Sequence, residues 1–380
     1  MKDRVLTNAT IVLAEDIIHG TVVIDEGSII DIGTGVSALP DARDLEGDLL
    51  IPGLIELHTD NLEGHMTPRP KTDWPATAAL IAHDSQIAVS GITTVFDALA
   101  IGGLSEASTR VRRLREMVDA IETGVADDLL RADHMIHLRC EVSYPQLREL
   151  FDPLVDHPLV HLISIMDHTP GQRQFVSEDK YRIYYQGKFG MTDAEMDAFI
   201  AERKKDQIAH STDHRRYVVA RAQELGCSLA SHDDATTDHV EEAVADGMSI
   251  AEFPTTMEAA EASHQGGLNV MMGAPNLVRG GSHSGNASAR DLAKEGVLDI
   301  ISSDYVPNSL IHAAFLLYDE IEGFDLPRAV GTVTTAPAQS AGLNDRGEIR
   351  VGNRADLVRV RHTPHHPLIR GVWREGIRIA

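Results

Sequence analysis

The chain has 380 residues, of which 43% are hydrophobic, and its formal net charge is −24. Such a charge opposes binding to nucleic acid or to an anionic membrane surface, and no apolar run reaches the ~18 residues that a membrane-spanning helix needs. The first residues lead into no apolar segment typical of a signal peptide, and the two cysteines, Cys140 and Cys227, form no CxxC motif. We therefore expect a reduced, cytoplasmic protein that binds neither nucleic acid nor membranes.

Short apolar runs separated by turn residues occupy both ends of the chain. The first 35 residues contain three such runs, and the Asp-Glu-Gly turn at 25–27 is typical of a β-hairpin. Residues 347–376 show the same pattern, so we predict that the two ends pair into one small β-sandwich. The predicted domain boundaries are 1–52 together with 343–380 for the sandwich, and 53–342 for a continuous domain between them.

Strand-like and helix-like segments alternate within the central domain. The predicted strands are 54–59, 92–98, 135–141, 161–167, 228–232, 250–254, 268–273 and 298–303. The predicted helices are 76–89, 106–122, 192–209, 212–225, 237–246, 256–264 and 307–322. This alternation indicates parallel βα units, and eight strands predict an α/β fold of the (β/α)8 TIM-barrel type.

Metal-binding side chains stand at the ends of several predicted strands. In a (β/α)8 barrel the carboxyl ends of the strands meet at one mouth, where the chemistry takes place. Six residues meet this condition: His58 and Asp60 after the first strand, Glu141 after the third, His168 after the fourth, His232 after the fifth and Asp304 after the eighth. The sequence therefore predicts a metal centre assembled from distant parts of the chain.

Three polar neighbours of these residues are interpreted differently. Asp167 and Asp233 each adjoin a predicted histidine ligand, and the period-two alternation of a strand turns their side chains away from the site. Arg139 shares a strand face with Glu141, so we expect the two side chains to pair.

Imidazole and carboxylate ligands suit zinc, manganese or iron, and no thiolate is placed to select zinc. Six ligands exceed one tetrahedral site, so we expect one or two divalent cations, with Glu141 as the bridging carboxylate if there are two. A cation lowers the pKa of a coordinated water molecule, and Asp304 is the natural acceptor for the proton of that water.

The run Pro-Gly-Leu-Ile-Glu-Leu-His-Thr-Asp at 52–60 resembles the first barrel strand of the amidohydrolase superfamily, in which His-x-His is the usual form. Residues 347–358 resemble the closing β segment of that superfamily, so the resemblance covers essentially the whole chain. It implies that the metal ligands are His58, Asp60, His168, His232 and Asp304, with Glu141 as the bridging carboxylate. The strand count places His168 one strand earlier than this pattern, which implies either an overlooked strand between 168 and 228 or a different register.

A narrower resemblance concerns two segments, residues 58–75 and residues 166–174. Both are similar to the diphosphatase family of the carbon–phosphorus lyase pathway, in which His-x-Asp replaces His-x-His. This resemblance implies that water cleaves α-D-ribose 1-methylphosphonate 5-triphosphate to diphosphate and the 5-phosphate.

Cationic side chains follow the predicted barrel strands although the chain as a whole is acidic. A Gly/Ser-rich loop at 280–286 also offers backbone N–H groups to phosphate oxygens. The candidates for binding a phosphorylated sugar are Arg69 and Lys71 after the first strand, Arg173 after the fourth, and Arg279 and His283 after the seventh.

Two other functions remain open. The first is an amidohydrolase that cleaves a C–N bond in a cyclic amide, an N-acyl compound or a deaminable substrate, with the same metal centre and different loops. The second is a catalytically inactive barrel that serves as an assembly partner. The presence of all six predicted metal ligands argues against this second function. A homodimer is likewise left open.

Overall fold

The computed structural model describes residues 3–69, 72–103, 109–173, 178–281 and 286–380. Its strands are β1 (Val5–Val12), β2 (Ile17–Asp25), β3 (Ser28–Thr34), β4 (Arg43–Asp44), β5 (Leu49–Pro52), β6 (Leu54–Thr59), β7 (Ile92–Ile101), β8 (Asp133–Glu141), β9 (Val160–Met166), β10 (Ser228–His232), β11 (Ile250–Glu252), β12 (Asn269–Gly273), β13 (Ile300–Ser302), β14 (Leu357–Arg361), β15 (Leu368–Arg374) and β16 (Ile377–Arg378). Its helices are α1 (Asn61–Met66), α2 (Ala76–Val89), α3 (Thr109–Ala126), α4 (Leu147–Val155), α5 (Glu178–Phe189), α6 (Asp193–Leu225), α7 (Thr237–Ala245), α8 (Met257–Gln265), α9 (Ala274–Arg279), α10 (Ala289–Lys294), α11 (Ser309–Glu320), α12 (Leu326–Gly331) and α13 (Thr335–Ser340). No helix in these residues has the length and apolar character that a bilayer span requires.

Eight parallel strands, β6 to β13, form a nearly closed barrel in which each strand pairs with the next along the chain. The first and last strands meet beside the barrel mouth. The N–H of Asp60 donates to the carbonyl oxygen of Asp304 at 3.2 Å. The N–H of Asp304 donates to the carbonyl oxygen of His58 at 3.1 Å. The predicted (β/α)8 barrel is confirmed, and each predicted strand coincides with an observed one.

The strand pairing shows which barrel strand His168 follows. His168 follows β9, the fourth barrel strand, and β9 pairs directly with β10. The described residues between these two strands contain helices only. β9 and β10 are therefore neighbouring barrel strands, so no strand was overlooked between them, and His168 follows the fourth strand.

The barrel strands alternate between two apolar layers, which fixes the direction of their polar side chains. One layer fills the interior and contains Phe96, Leu162 and Met271. The other layer packs between the barrel and the helices, and β8 contributes Leu138 and Cys140 to it. Residues of β8 on the opposite face from these two therefore point into the barrel.

The two ends of the chain form one hydrogen-bonded sheet of eight strands, in which β5 pairs antiparallel with β14. Apolar side chains from both ends pack into its own core, where Leu6, Leu357 and Trp373 are fully buried. The predicted β unit built from both chain ends is confirmed. The exact domain boundaries, at 52/53 and 342/343, stay a prediction.

The two helices predicted at 192–209 and 212–225 are a single helix, α6. The Thr192 side chain accepts from the N–H of Glu195, and the Glu195 carboxylate accepts from the N–H of Thr192, so a capping box begins the helix. No glycine or proline interrupts it before Gly226, which ends it with a φ of 69°. The predicted break at 210–211 is wrong because nothing in that sequence opposes helix.

Candidate metal centre

His58 and His232 lie at the barrel mouth and share one carboxylate. Nδ1 of His58 is 2.6 Å from Oε1 of Glu252, and Nδ1 of His232 is 2.5 Å from Oε2 of the same residue. All three side chains are buried, and the two rings stack with centroids 5.9 Å apart. An imidazole that donates its Nδ1–H to a carboxylate presents the Nε2 lone pair to a cation. Glu252 therefore holds both rings in the orientation of metal ligands.

Glu141 orients His168 in the same way. Nδ1 of His168 is 2.6 Å from Oε2 of Glu141, and the backbone N–H of His168 donates to Oε1 at 3.0 Å. The Ser143 hydroxyl also donates to Oε1, at 2.7 Å. The ring of His168 lies 5.6 Å from that of His232, so Nε2 of His168 faces the same space. The bridging role expected for Glu141 stays a prediction.

Asp233 faces the two histidines, contrary to the sequence prediction. Its Oδ2 lies 3.3 Å from Nε2 of His232 and 3.5 Å from Nε2 of His168. Asp233 has a φ of 58°, directly after the end of β10. The prediction that its side chain turns away is wrong because it assumed an extended backbone, whereas this left-handed residue breaks the alternation.

Burial and charge act in opposite directions on these groups. Burial lowers the pKa of His168, but Glu141 and Asp233 outweigh it and raise that pKa to about 10. Burial also lowers the pKa of His232, but the carboxylates of Asp233 and Glu252 outweigh it, so this pKa is raised as well. The pKa of Asp233 is lowered, because His232 and His168 outweigh the effect of burial. The cluster therefore favours bound positive charge, which a cation can supply in place of protons.

Asp60 and Asp304 stand at the edge of the same mouth. Oδ2 of Asp60 pairs with Nη2 of Arg110 at 3.2 Å. Burial raises the pKa of Asp304, while the charge of His58 acts in the opposite direction. Among the described residues, the compact groups of three ligand atoms include His58, His168 and His232 but not Asp60, Asp304 or Glu141. The assignment of all six residues as ligands stays a prediction.

Glu252 is the main residue of the centre that sequence reasoning missed. It ends β11, the sixth barrel strand, to which the sequence prediction assigned no ligand. The lone acidic residue at the end of that strand was a usable signal. His137, two positions before Arg139 on β8, was also missed. Its Nδ1–H donates to the carbonyl oxygen of Leu57 at 3.0 Å, and its ring lies 5.3 Å from that of His58.

The predicted phosphate-binding residues occupy different environments. Arg69 and Arg279 are exposed and form no ion pair within the described residues. Arg173 is buried, and its guanidinium contacts Asp234, Ser231 and Glu242. It therefore fixes the loop that follows His232, and a direct role for it in substrate binding stays a prediction. Lys71 and His283 lie outside the described residues.

A (β/α)8 barrel with clustered histidines and carboxylates at its mouth defines the class of this protein, a barrel hydrolase with a candidate metal centre. The amidohydrolase family model matches residues 177–378. The chain belongs to the amidohydrolase family.

Comparison with known proteins gives one strong relative and many structural ones. Alpha-D-ribose 1-methylphosphonate 5-triphosphate diphosphatase from Escherichia coli (strain K12) is 48% identical over 376 residues, which cover 99% of this chain and 100% of that protein. N-isopropylammelide isopropylaminohydrolase from Burkholderia multivorans is 16% identical with a TM-score of 0.63, covering 98% of this chain and 97% of its own. L-hydantoinase from Arthrobacter aurescens is 14% identical with a TM-score of 0.58, covering 100% and 96%. The two structures show similarity of fold.

Proposed function

We propose that this protein hydrolyses α-D-ribose 1-methylphosphonate 5-triphosphate to diphosphate and the corresponding 5-phosphate. The observation that carries the proposal is the 48% identity, from end to end, with a diphosphatase named for this substrate. The barrel mouth supports it, because histidines and carboxylates that suit a divalent cation converge there.

The residues at the mouth fit a divalent cation. Oδ2 of Asp233 is buried and has no hydrogen-bond partner, although Nε2 atoms of His168 and His232 lie close to it. We propose that these three side chains and His58 hold the cation, with Asp60, Glu141 and Asp304 completing the set. Zinc is our first assignment, with manganese and iron as alternatives. When bound, the cation lowers the pKa of water and offsets phosphate charge.

The chemical step follows from where the acids and bases stand. A water oxygen forms a bond to phosphorus, and the bond from that phosphorus to the bridging oxygen breaks, with the electron pair leaving on the bridging oxygen. Asp304 accepts a proton from the water and returns it to the leaving group or to solvent. His58, His168 and His232 stay fixed by Glu252 and Glu141 throughout.

The same assignment implies a cytoplasmic enzyme that works on a free, phosphorylated sugar and needs no nucleic acid or membrane.

Its oligomeric state, including a possible homodimer, can be measured directly by light scattering. Domain boundaries at 52/53 and 342/343 follow from the sequence prediction.

Product analysis tests the proposed function. The purified, metal-loaded protein is incubated with the 5-triphosphate, and ³¹P NMR follows diphosphate, phosphate and the sugar phosphates. We expect diphosphate and the 5-phosphate in equal amounts. A hydantoin and an N-acylated amino sugar, tested in parallel, should remain intact. Turnover of either of these without diphosphate release would assign the chain to C–N bond hydrolysis instead.

Replacing Glu252 with glutamine should weaken metal binding. The carboxylate orients two histidines at once, and loss of such a partner costs roughly 10–100-fold in metal affinity. Competition with a coloured chelator measures the affinity. Glu261→Gln, an exposed carboxylate on α8, is the matched control and should bind metal like the wild type. Equal affinity in the Glu252 variant would remove this residue from the centre.

Replacing Arg69 or Arg279 with alanine should raise KM for the triphosphate. Loss of one charge-assisted hydrogen bond to a phosphate oxygen costs about 1.5–3 kcal/mol, which corresponds to roughly a 10–100-fold change in KM. Steady-state kinetics provide the measurement, and kcat should change much less. Lys294→Ala, an exposed cation on α10, serves as the control. An unchanged KM in both arginine variants would show that these two side chains do not bind the phosphates.

A further inference from the structure

Arg139 is a buried cation for which the described part of the chain offers no ion-pair partner. It lies on β8, with 8% of its surface exposed, and its Nε is buried without any hydrogen-bond acceptor. Within the described residues, no carboxylate oxygen lies within 4.0 Å of its guanidinium. The pair with Glu141 that the sequence suggested is therefore not formed. Glu141 instead binds His168 and Ser143.

The other buried arginines of the described chain show how unusual this is. Each of the four pairs with at least one carboxylate: Arg113 with Glu116, Arg173 with Asp234, Arg215 with Asp246 and Arg359 with Asp48. Burying an uncompensated charge is costly, so a guanidinium without a counter-ion implies a ligand that supplies one. The lack of a nearby carboxylate for Arg139 is notable because the chain has 58 acidic residues and only 34 basic ones.

The direction of Arg139 is set by the alternation of β8. Leu138 and Cys140 belong to the layer between barrel and helices, so Arg139 faces the interior, as His137 does. Arg139 lies on the strand between His137 and Glu141. The ring of His137 is next to that of His58, and Glu141 binds His168. Its charge also acts on the carboxyl groups of Asp304 and Glu63. The guanidinium is therefore placed at the base of the barrel mouth, next to the candidate metal centre.

We propose that Arg139 binds the phosphoryl group at the scissile bond and supplies its counter-charge. This inference rests on the proposed function and adds a residue to it. A guanidinium presents a planar fork of N–H donors that matches two oxygens of one phosphoryl group. Arg69 and Arg279, which are both exposed, remain for the terminal phosphate. Arg139 differs from them because it contacts the phosphorus centre at which charge develops, so its loss lowers kcat as well as raising KM.

Two substitutions and a chemical rescue test the assignment. Arg139→Lys keeps the charge and loses the fork, whereas Arg139→Ala loses both. We expect kcat/KM to fall roughly 10²–10³-fold in Arg139→Ala, with an intermediate loss in Arg139→Lys. Millimolar guanidinium should restore part of the activity of Arg139→Ala. The matched control is Arg215→Ala, another buried arginine, in which guanidinium should restore nothing.

Binding measurements separate this proposal from the proposed function. Calorimetry of the metal-loaded protein with inorganic diphosphate, which retains one of the two phosphoryl groups joined by the scissile bond, should give an affinity at least tenfold weaker in Arg139→Ala than in the wild type. This holds even if the wild type fails to hydrolyse the triphosphate, which would overturn only the proposed function. Metal content and thermal unfolding of the variants verify folding. The role of Arg139 would be overturned if folded Arg139→Ala bound diphosphate as tightly as the wild type. It would also be overturned if the wild type were active and guanidinium restored no activity to Arg139→Ala.

Discussion

Asp304→Asn should lower kcat for diphosphate release by roughly 10²–10⁴-fold, the usual contribution of a general base. Asp304 stands at the barrel mouth, whereas the carboxylates of Asp60, Glu141 and Asp233 each lie within ion-pair distance of an arginine or a histidine. The asparagine amide keeps an oxygen at the same position, so we expect metal content near that of the wild type. Steady-state kinetics combined with metal analysis of the same samples provide the measurement.

Asp319→Asn, an exposed carboxylate on α11, is the control for Asp304→Asn and should leave kcat unchanged. Full activity of Asp304→Asn would remove Asp304 from the proton transfer. Loss of metal together with activity would mean that Asp304 acts chiefly as a ligand.

Asp97→Asn should destabilise the fold by about 3–5 kcal/mol, because it breaks a buried ion pair and leaves charge uncompensated. Asp97 on β7 is fully buried between two histidines. Its Oδ1 is 2.8 Å from Nε2 of His83, and its Oδ2 is 2.7 Å from Nδ1 of His134. Urea unfolding measures the loss, with the exposed Asp127→Asn as control. A difference below ~1 kcal/mol would show that this network adds little to stability.

The same network predicts how stability depends on pH. Burial lowers the pKa of His134, but Asp97 and Asp84 outweigh it and raise that pKa to about 9. A raised histidine pKa contributes stability that is complete below the unfolded value, near 6.5, and is lost as pH rises through 9. His83 faces the same carboxylate, and its pKa is lowered, chiefly by burial. The free energy of unfolding should therefore fall between pH 6.5 and 9, and His134→Gln should flatten this part of the profile.

The eight barrel strands could be predicted because each is a short apolar run bounded by turn residues. The candidate ligands His58, His168 and His232 were named from the same pattern, since each lies at or just after the carboxyl end of a buried strand. What failed was local backbone geometry. Asp233 was turned the wrong way because a φ of 58° cannot be read from strand alternation.

Other features depend on tertiary contacts that a single sequence does not encode. The shared carboxylate of Glu252 depends on β11 pairing with β10 and on the Glu252 side chain also reaching His58 of β6. The guanidinium of Arg139 forms no ion pair among the described residues, because Glu141 binds His168 instead. Helix α6 was divided in two because the apolar pattern fades in its middle, although no residue there breaks a helix.

Titration of the metal-depleted protein with a divalent cation shows whether hydrolysis requires a metal held at the barrel mouth. Diphosphate release from the 5-triphosphate should be absent without metal and should rise in proportion to bound metal, reaching a plateau at one or two ions per chain. His168→Ala and His232→Ala should bind fewer ions and should not recover at the same metal concentration. Undiminished hydrolysis by protein shown to contain no metal would contradict the account.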